Sequence, residues 1–430
     1  MVMRIIRTDE AEFEHFFRQI RERGRLFDPE LWTSVGRIVE DVALRGDEAL
    51  FDYTARWDGH RVTAATVEAS PEEKKAAAAR VNSEDLDILR LSAKRIERFH
   101  ERQRQEGWSA TDEEGMELGQ TIIPLSRVGI YAPGGLACYP STVLMTAIPA
   151  RIAGVGEIIL VTPAREGKLH PLIAAAAELC GVNRIFKIGG AQAIAALAFG
   201  TASIPRVDKI VGPGNAYVAA AKKMVFGRVA IDMIAGPSEV LIIADGTGDA
   251  AFAAADLLAQ AEHDEMASAV LLTPDGAFAE AVVAETTRQL EKLSRKDIAS
   301  CSLAAFAAAF VTKDLGEAVA LANRFAPEHL ELMVQDPRQL LPEIRNAGAV
   351  FLGMYTPEAL GDYTAGPNHV LPTGGTARFA SPLGVYDFIK RTSIISFSRD
   401  ALARYGKQTA RFAEMEGLDG HGKSVRLRLG

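Results

Sequence analysis

A chain of 430 residues that is 48% hydrophobic and 24% charged is long enough for two or more domains with buried cores, and it is not a disordered polymer. Its net charge of −8 and pI near 5.6 exclude a large electrostatic grip on nucleic acid or an anionic membrane, which leaves a small molecule as the default partner. The start, MVMRIIRTDEAEFEHFF, has no apolar stretch of signal-peptide length, and no later run nears the ~20 apolar residues of a membrane span, so the chain reads as cytoplasmic.

Residues 13–23, 31–57 and 71–108 have the charge and apolar spacing of helices; in the last, Leu86, Ile88, Leu89, Leu91 and Ile96 predict an amphipathic helix. His15, His60 and His100 stand among charged neighbours without ligand spacing and read as surface residues. Cys138, Cys180 and Cys301 are odd in number and far apart. They fit neither a disulfide framework nor a thiolate zinc motif, and buried free thiols are expected.

Composition changes at Ile122. Residues 127–143 (RVGIYAPGGLACYPSTV) predict a short strand and a Gly/Pro loop, and beyond them strand-like runs at 157–162, 184–188, 209–211 and 229–234 alternate with helical runs at 170–180, 191–199 and 216–226. That is the pattern of a parallel sheet with crossover helices, in which ligands bind beyond the carboxyl ends of the strands. Loops at 132–135 (APGG), 189–192 (GGAQ) and 212–215 (GPGN) occupy that edge. Their glycines allow close backbone approach, and free amides at the following helix starts suit a pyrophosphate. The dinucleotide fingerprint G-x-G-x-x-G is absent, and each loop taken singly also fits a plain tight turn.

A second series follows, with strands at 239–244, 269–273 and 310–313 and helices at 249–262 and 276–292. Gln260 and His263 end the first of these helices at i, i+3 spacing and share a face. His is a common zinc ligand and Gln a poor one, so the pair fits either a metal site or a helix-capping histidine. A helix at 316–325 is expected to stop before Pro327, which pushes Ala326 toward extended geometry and starts a strand at 329–334. Glu328 and His329 stand side by side at that junction. Adjacent side chains diverge, so an acid and an imidazole there can approach one substrate from different directions; a solvated Glu beside a capping His is the alternative. After a strand at 349–352, the turn-rich stretch 361–375 (GDYTAGPNHVLPTGG) carries the metal-competent Asp362 and His369, either as a pocket or as plain connection. A helix over 398–416 and the tail EGLDGHGKS, with His421, close the chain.

With these stretches assembled, VGIYAPGGLACYPSTVLM, GPGNAYVAAAKK, IDMIAGPSEVLIIAD, LLAQAEHD, NRFAPEHLEL, GDYTAGPNHVLPTGG and EGLDGHGKSV, the sequence resembles the histidinol dehydrogenases across nearly its whole length. These are zinc- and NAD-dependent enzymes of the last two steps of histidine biosynthesis. The resemblance implies an α/β fold of two Rossmann-like parallel-sheet domains of an incomplete nucleotide-binding type, with helical N-terminal and C-terminal extensions, in a domain-swapped homodimer. The units would be an N-terminal extension over 1–26, a zinc and acid/base domain of 27–130 with 239–382, an NAD-binding domain over 131–238, and a C-terminal tail over 383–430.

The resemblance further implies zinc held by Gln260, His263, Asp362 and His421, with the imidazole and amino nitrogens of L-histidinol completing the coordination. His329 would take the hydroxyl proton as hydride passes to NAD. Glu328 would then activate water, so that a second NAD carries the aldehyde on to L-histidine. Ser238, His369 and Glu416 would contact histidinol beside the metal ligands and His329, with Glu416 at the ammonium. Tyr131, Gln192 and Asn215 would contact NAD. The tail would complete the partner subunit's site, so that Glu416 and His421 act in trans. Departures from the family pattern are small: Asp264-Glu265-Met266-Ala267 falls in a variable region, residues 306–310 are alanine-rich, and Asp419-Gly420 stands where an alanine commonly precedes the histidine. The rivals are a paralogous dehydrogenase of another small alcohol, which should lose Glu416 and His369, a zinc hydrolase, which leaves the glycine loops unexplained, and a non-catalytic nucleotide-binding scaffold.

Overall fold

Two all-parallel sheets organise the chain, seen in a computed structural model that describes residues 2–24, 28–134 and 138–430. Gly135 of the first glycine loop and the 26/27 domain boundary lie outside these residues. One sheet has five strands in the order Arg184–Phe186, Glu157–Val161, Arg127–Tyr131, Lys209–Val211, Ala230–Ile231. The other has six, in the order Arg4–Arg7, Ala307–Val311, Ser268–Thr273, Glu239–Ala244, His329–Met333, Ala349–Leu352. In the five-stranded sheet, and in the six-stranded sheet from Glu239–Ala244 onward, the chain winds outward to one side of the starting strand and then crosses to the other, the doubly wound arrangement of Rossmann-like folds, with Arg4–Arg7 added at one edge of the six-stranded sheet. Every residue of Glu239–Ala244 and Ser268–Thr273 is buried, as strands covered on both faces must be. Alanine-rich helices such as Gly190–Phe199, buried along most of their length, allow that close covering.

Several expectations are corrected. The N-terminal extension is not wholly helical: Arg4–Arg7 pairs with Ala307–Val311, a strand too short to show in its pattern. The expected helix at 31–57 breaks at Gly46, whose φ of 59° lies in the left-handed region. The expected helix at 71–108 is two helices, Pro71–Ala78 and Ser83–His100, followed by the strand Trp108–Thr111; Asn82 caps the second by accepting from Asp85 N. The sequence grouping places 27–130 with 239–382, whereas Pro29–Arg45 packs on Gly190–Phe199 and Ala216–Val225, and Ser83–His100 packs on Pro140–Ala153, all around the five-stranded sheet. His100 is buried, with Nδ1 bonded to Ile96 O, and His60 is half-buried. Of the thiols only Cys180 is buried; Cys138 is half-buried and Cys301 exposed.

The C-terminal extension is not all helix either. Ile389–Phe397 runs antiparallel to Met116–Pro124, which also pairs with Trp108–Thr111. The helices Arg399–Met415 and Asp419–Leu429 then form a hairpin. Both faces of this three-stranded sheet are largely exposed, and Ile395, Phe412, Met415 and Leu427 stand open to solvent. Among the described residues no helix is long and apolar enough to cross a membrane.

The N-terminal helix Phe13–Glu22 is held by Phe17, fully buried with ring centroids 5.5 Å from Phe13, 5.8 Å from Phe310 and 5.9 Å from Phe325. Phe17→Ala is expected to cost about 3–5 kcal/mol, read as a lower urea midpoint; an unchanged midpoint would show that this helix is not part of the cooperative core.

Candidate active site

The helix Leu315–Phe325 ends at Ala326, which is fully buried in a left-handed conformation (φ 58°, ψ 62°) rather than the extended one expected before a proline. An L-residue held there costs on the order of 1 kcal/mol, and the turn is pinned: Gly348 N donates to Pro327 O (2.9 Å) and Ala349 N to Glu328 O (2.9 Å). The chain thereby leaves the helix with Glu328 and His329 both buried against Glu239, the first residue of the central strand.

Glu239 binds this pair with every polar group it has. Its N–H donates to Glu328 Oε2 (3.0 Å), its carboxylate accepts from Glu328 N (3.3 Å), and its carbonyl accepts from His329 Nδ1 (3.0 Å). The last bond puts the imidazole proton on Nδ1, leaving Nε2 as a bare acceptor. Nε2 is buried without a hydrogen-bond partner, 3.9 Å from Asp362 Oδ1. Burial holds His329 neutral, its pKa pulled down to about 3, and pushes Glu328 well above the usual carboxylate range, with the nearby Glu239 charge adding to that shift. Ser238 Oγ hydrogen-bonds the Glu328 carboxylate.

Gln260 and His263 arrive at the carboxyl-terminal end of the Ala250–Ala261 helix, where the helix dipole favours a cation. With its nitrogen assigned to the side where only acceptors lie, the fully buried Gln260 amide donates to Glu239 O (3.3 Å) and to both Glu358 oxygens (3.2 Å); its oxygen then lies 3.4 Å from His263 Nδ1. Asp362 and Glu358 come from the helix Glu358–Tyr363, one turn apart, and burial raises Asp362 to about 6. His369 Nδ1 bonds Asp362 O (3.0 Å), and burial lowers its pKa to about 4. Donor atoms of His329, Glu358 and Asp362 lie within 4.8 Å of one another. An amide oxygen, imidazoles and carboxylates form a donor set suited to zinc, and the buried, partnerless His329 Nε2 facing Asp362 marks room for a polar ligand.

Ser238, Gln260, His263, Glu328, His329, Asp362 and His369 thus converge at the amino ends of the central strands Glu239–Ala244 and His329–Met333. The other expected residues lie elsewhere. Tyr131, Gln192 and Asn215 sit at the carboxyl edge of the five-stranded sheet: Tyr131 Oη accepts from Gly190 N (3.1 Å), Asn215 caps the Ala216–Val225 helix through Val218 N (3.1 Å), and the buried Gln192 Oε1 has no partner. That orphaned acceptor, beside loops where Gly189 closes on Pro163 and Gly212 on the Tyr131 carbonyl, fits a donor-bearing ligand such as a nucleotide. Asp232 braces the last loop, accepting from Gly212 N (2.7 Å) and pairing with the buried Lys222. Glu416 and His421 face a groove of the C-terminal hairpin, together with Phe412 and Val425, and no described contact of this chain joins them to the buried cluster.

Sequence reasoning missed Glu239, Glu358 and Arg23. Glu239, an acid opening an otherwise apolar strand, and Glu358, at i, i+4 to Asp362, each left a readable signal. Arg23 left none: it sits at the end of the first helix and reaches Glu239 (3.2 Å), Ser238 O (3.1 Å) and Met266 O (2.8 Å) from across the chain.

A family model described as histidinol dehydrogenase matches residues 21–429. A histidinol dehydrogenase from Syntrophotalea carbinolica is 56% identical over 428 residues, covering 100% of this chain and 99% of that protein. The crystal structure of a histidinol dehydrogenase from Elizabethkingia anophelis aligns with a TM-score of 0.93 at 38% identity, covering 100% of this chain and 98% of that one. An acetylating aldehyde dehydrogenase from Geobacillus thermoglucosidasius, 14% identical with a TM-score of 0.50 over 90% of this chain, is alike in fold alone.

The raised Glu328 pKa has a consequence for stability. Above the ordinary carboxyl range the unfolded chain loses this proton while the folded chain keeps it, so stability falls as pH rises until the folded carboxyl itself ionises. Glu328→Gln is therefore expected to gain stability over the natural protein progressively as pH rises above the ordinary carboxyl range. Urea midpoints of both proteins across that rise in pH check this, and a constant gap would contradict the assigned burial.

Proposed function

The chain belongs to the histidinol dehydrogenase family and is an oxidoreductase, and on that premise we propose that it oxidises L-histidinol to L-histidine through the aldehyde, in the cytoplasm, with zinc and two NAD per turnover. The observation that carries the mechanism is the bare, buried Nε2 of His329, held in that tautomer by Glu239 O. His329 Nε2 accepts the hydroxyl proton in the first oxidation. Glu328, buried and hydrogen-bonded through Ser238 and Glu239 N, takes a proton from the water that adds to the aldehyde. His369, tethered to Asp362 O, leaves Nε2 for the substrate. When bound, zinc at Gln260, His263, Asp362 and His421 would fix the substrate's nitrogens, and NAD along Tyr131, Gln192 and Asn215 would accept the hydride. Substrate contacts at Glu416 and His421 would come from a second copy, the molecule being a homodimer. The exposed faces of the Ile389–Phe397 sheet and the apolar residues of the helical hairpin support this reading.

A paralogous activity on another small alcohol is the second reading; the presence of both His369 and Glu416 favours histidinol. The deciding measurement is the yield of NADH per molecule of limiting L-histidinol with and without a chelator. Two NADH, lost on chelation and restored by zinc, is the expected result; none from zinc-loaded protein would turn the search to other alcohols.

Glu328→Gln is expected to slow aldehyde oxidation by about 100-fold or more while the first oxidation loses less. Single-turnover assays of each half-reaction check this, and equal losses would reverse the assigned roles. If sites are completed in trans, His421→Ala and Glu328→Gln subunits, each unable alone to carry histidinol through to histidine, should recover the complete oxidation on mixing, up to about a quarter of the natural level in statistically mixed dimers. Verified mixed dimers without activity would refute the swapped tail.

A further inference from the structure

The geometry points to Glu358 as the positioning residue that makes Gln260 a metal ligand. The inference rests on the zinc reading above. An amide oxygen is neutral and a weak ligand, and a free amide can turn either end to a metal. With Glu358 ionised, as a bound cation would hold it, the amide here cannot: Glu358 Oε1, Glu358 Oε2 and Glu239 O all lie on one side of the buried Gln260 amide, at 3.2, 3.2 and 3.3 Å, and only the NH2 group can face three acceptors. The oxygen is thereby committed to the side of His263, 3.4 Å from its Nδ1. Donation of the amide hydrogens to a carboxylate also shifts electron density onto that oxygen, making it a better donor to a cation.

Glu358 is itself fixed for this task. Its N–H donates to Glu331 Oε1 (2.9 Å), and it precedes Asp362 by one turn of the same helix, so a single element delivers one metal-competent carboxylate and the carboxylate that aims its neighbour. The rival role for Glu358 is that of a ligand in its own right, because its donor atom lies within 4.8 Å of those of His329 and Asp362. The two roles differ in what happens when the amide and the carboxylate trade places. A positioning pair keeps its hydrogen bond after the exchange, with a carboxylate now aimed at the metal; a ligand at position 358 is lost.

The test is zinc affinity, measured on the full-length protein by competition with a chromophoric chelator, with thermal unfolding of the zinc-free proteins as the folding control. Glu358→Gln, which is isosteric and lets the Gln260 amide turn, is expected to weaken zinc about 10-fold, and Glu358→Leu up to about 100-fold. The exchanged pair Gln260→Glu/Glu358→Gln is expected to bind zinc at least as tightly as the natural protein. Unchanged affinity in folded Glu358→Gln would overturn the proposal, as would an exchanged pair no tighter than Glu358→Gln alone, which would make Glu358 a ligand. A natural protein that binds no zinc would instead remove the metal reading itself, and this proposal with it.

Discussion

The site depends on one buried residue, Glu239. Its amide, carbonyl and carboxylate each hold a different group of the reaction centre: Glu328 at both its backbone N–H and its carboxylate, His329 at Nδ1, and the Gln260 amide. A carboxylate at 1% exposure is costly unless paired, and Arg23, whose side chain is only 2% exposed, supplies the pairing. The pair need not add stability in the net. What it adds is a single geometry, because Arg23 also ties the carbonyls of Ser238 and Met266 and so fixes the strand start from three sides. The N-terminal helix thereby supports the candidate site from outside it: its aromatic cluster anchors the arginine.

The two sheets carry their candidate residues at opposite edges. In the five-stranded sheet the glycine loops lie at the carboxyl edge, the usual ligand edge of a doubly wound fold. In the six-stranded sheet Glu328 and His329 lie at the amino edge. The segment 232–238 joins the two: it begins at Asp232, which braces the Gly212 loop, passes Gly236, whose N–H donates to Thr373 Oγ1 (2.6 Å), and ends at Ser238 beside Glu328. The edge proposed to bind the nucleotide and the edge proposed to transfer protons, each formed by its own sheet, are thus linked by a few residues.

Much of the fold was legible because its signals are local. The apolar runs at 157–162 and 239–244 and the glycine loops between them announce a covered parallel sheet from composition alone. The strand Ile389–Phe397 was not legible, because its solvated faces leave no burial alternation; only its β-branched residues hinted at it. The same distinction holds in the site. Pro327 announced the junction that carries Glu328 and His329, and helix spacing coupled Gln260 to His263. Arg23 and Glu239 are 216 residues apart, and nothing in either neighbourhood encodes the other. Ala326 runs against its local preference, and the strained turn is affordable only because Gly348 and Ala349 pin the chain beyond it.

The balance of charge in the cluster argues for what it must bind. Burial pushes Glu328, Glu358 and Asp362 all upward, neighbouring carboxylates raise Glu328 and Glu358 further, and the Arg23 guanidinium is already committed to Glu239. The three imidazoles nearby, His263, His329 and His369, are all driven toward the neutral form, so they bring lone pairs rather than positive charge. A buried site that collects acids and neutral imidazoles without a matching cation is stable only with its carboxyls protonated, or with positive charge brought in from outside. On the proposed function, a divalent metal and an ammonium-bearing substrate would supply that charge together and would convert the carboxyls from protonated acids into ligands and base. Binding and activation would then be one event: the charge that fills the site would also set the protonation state in which it works.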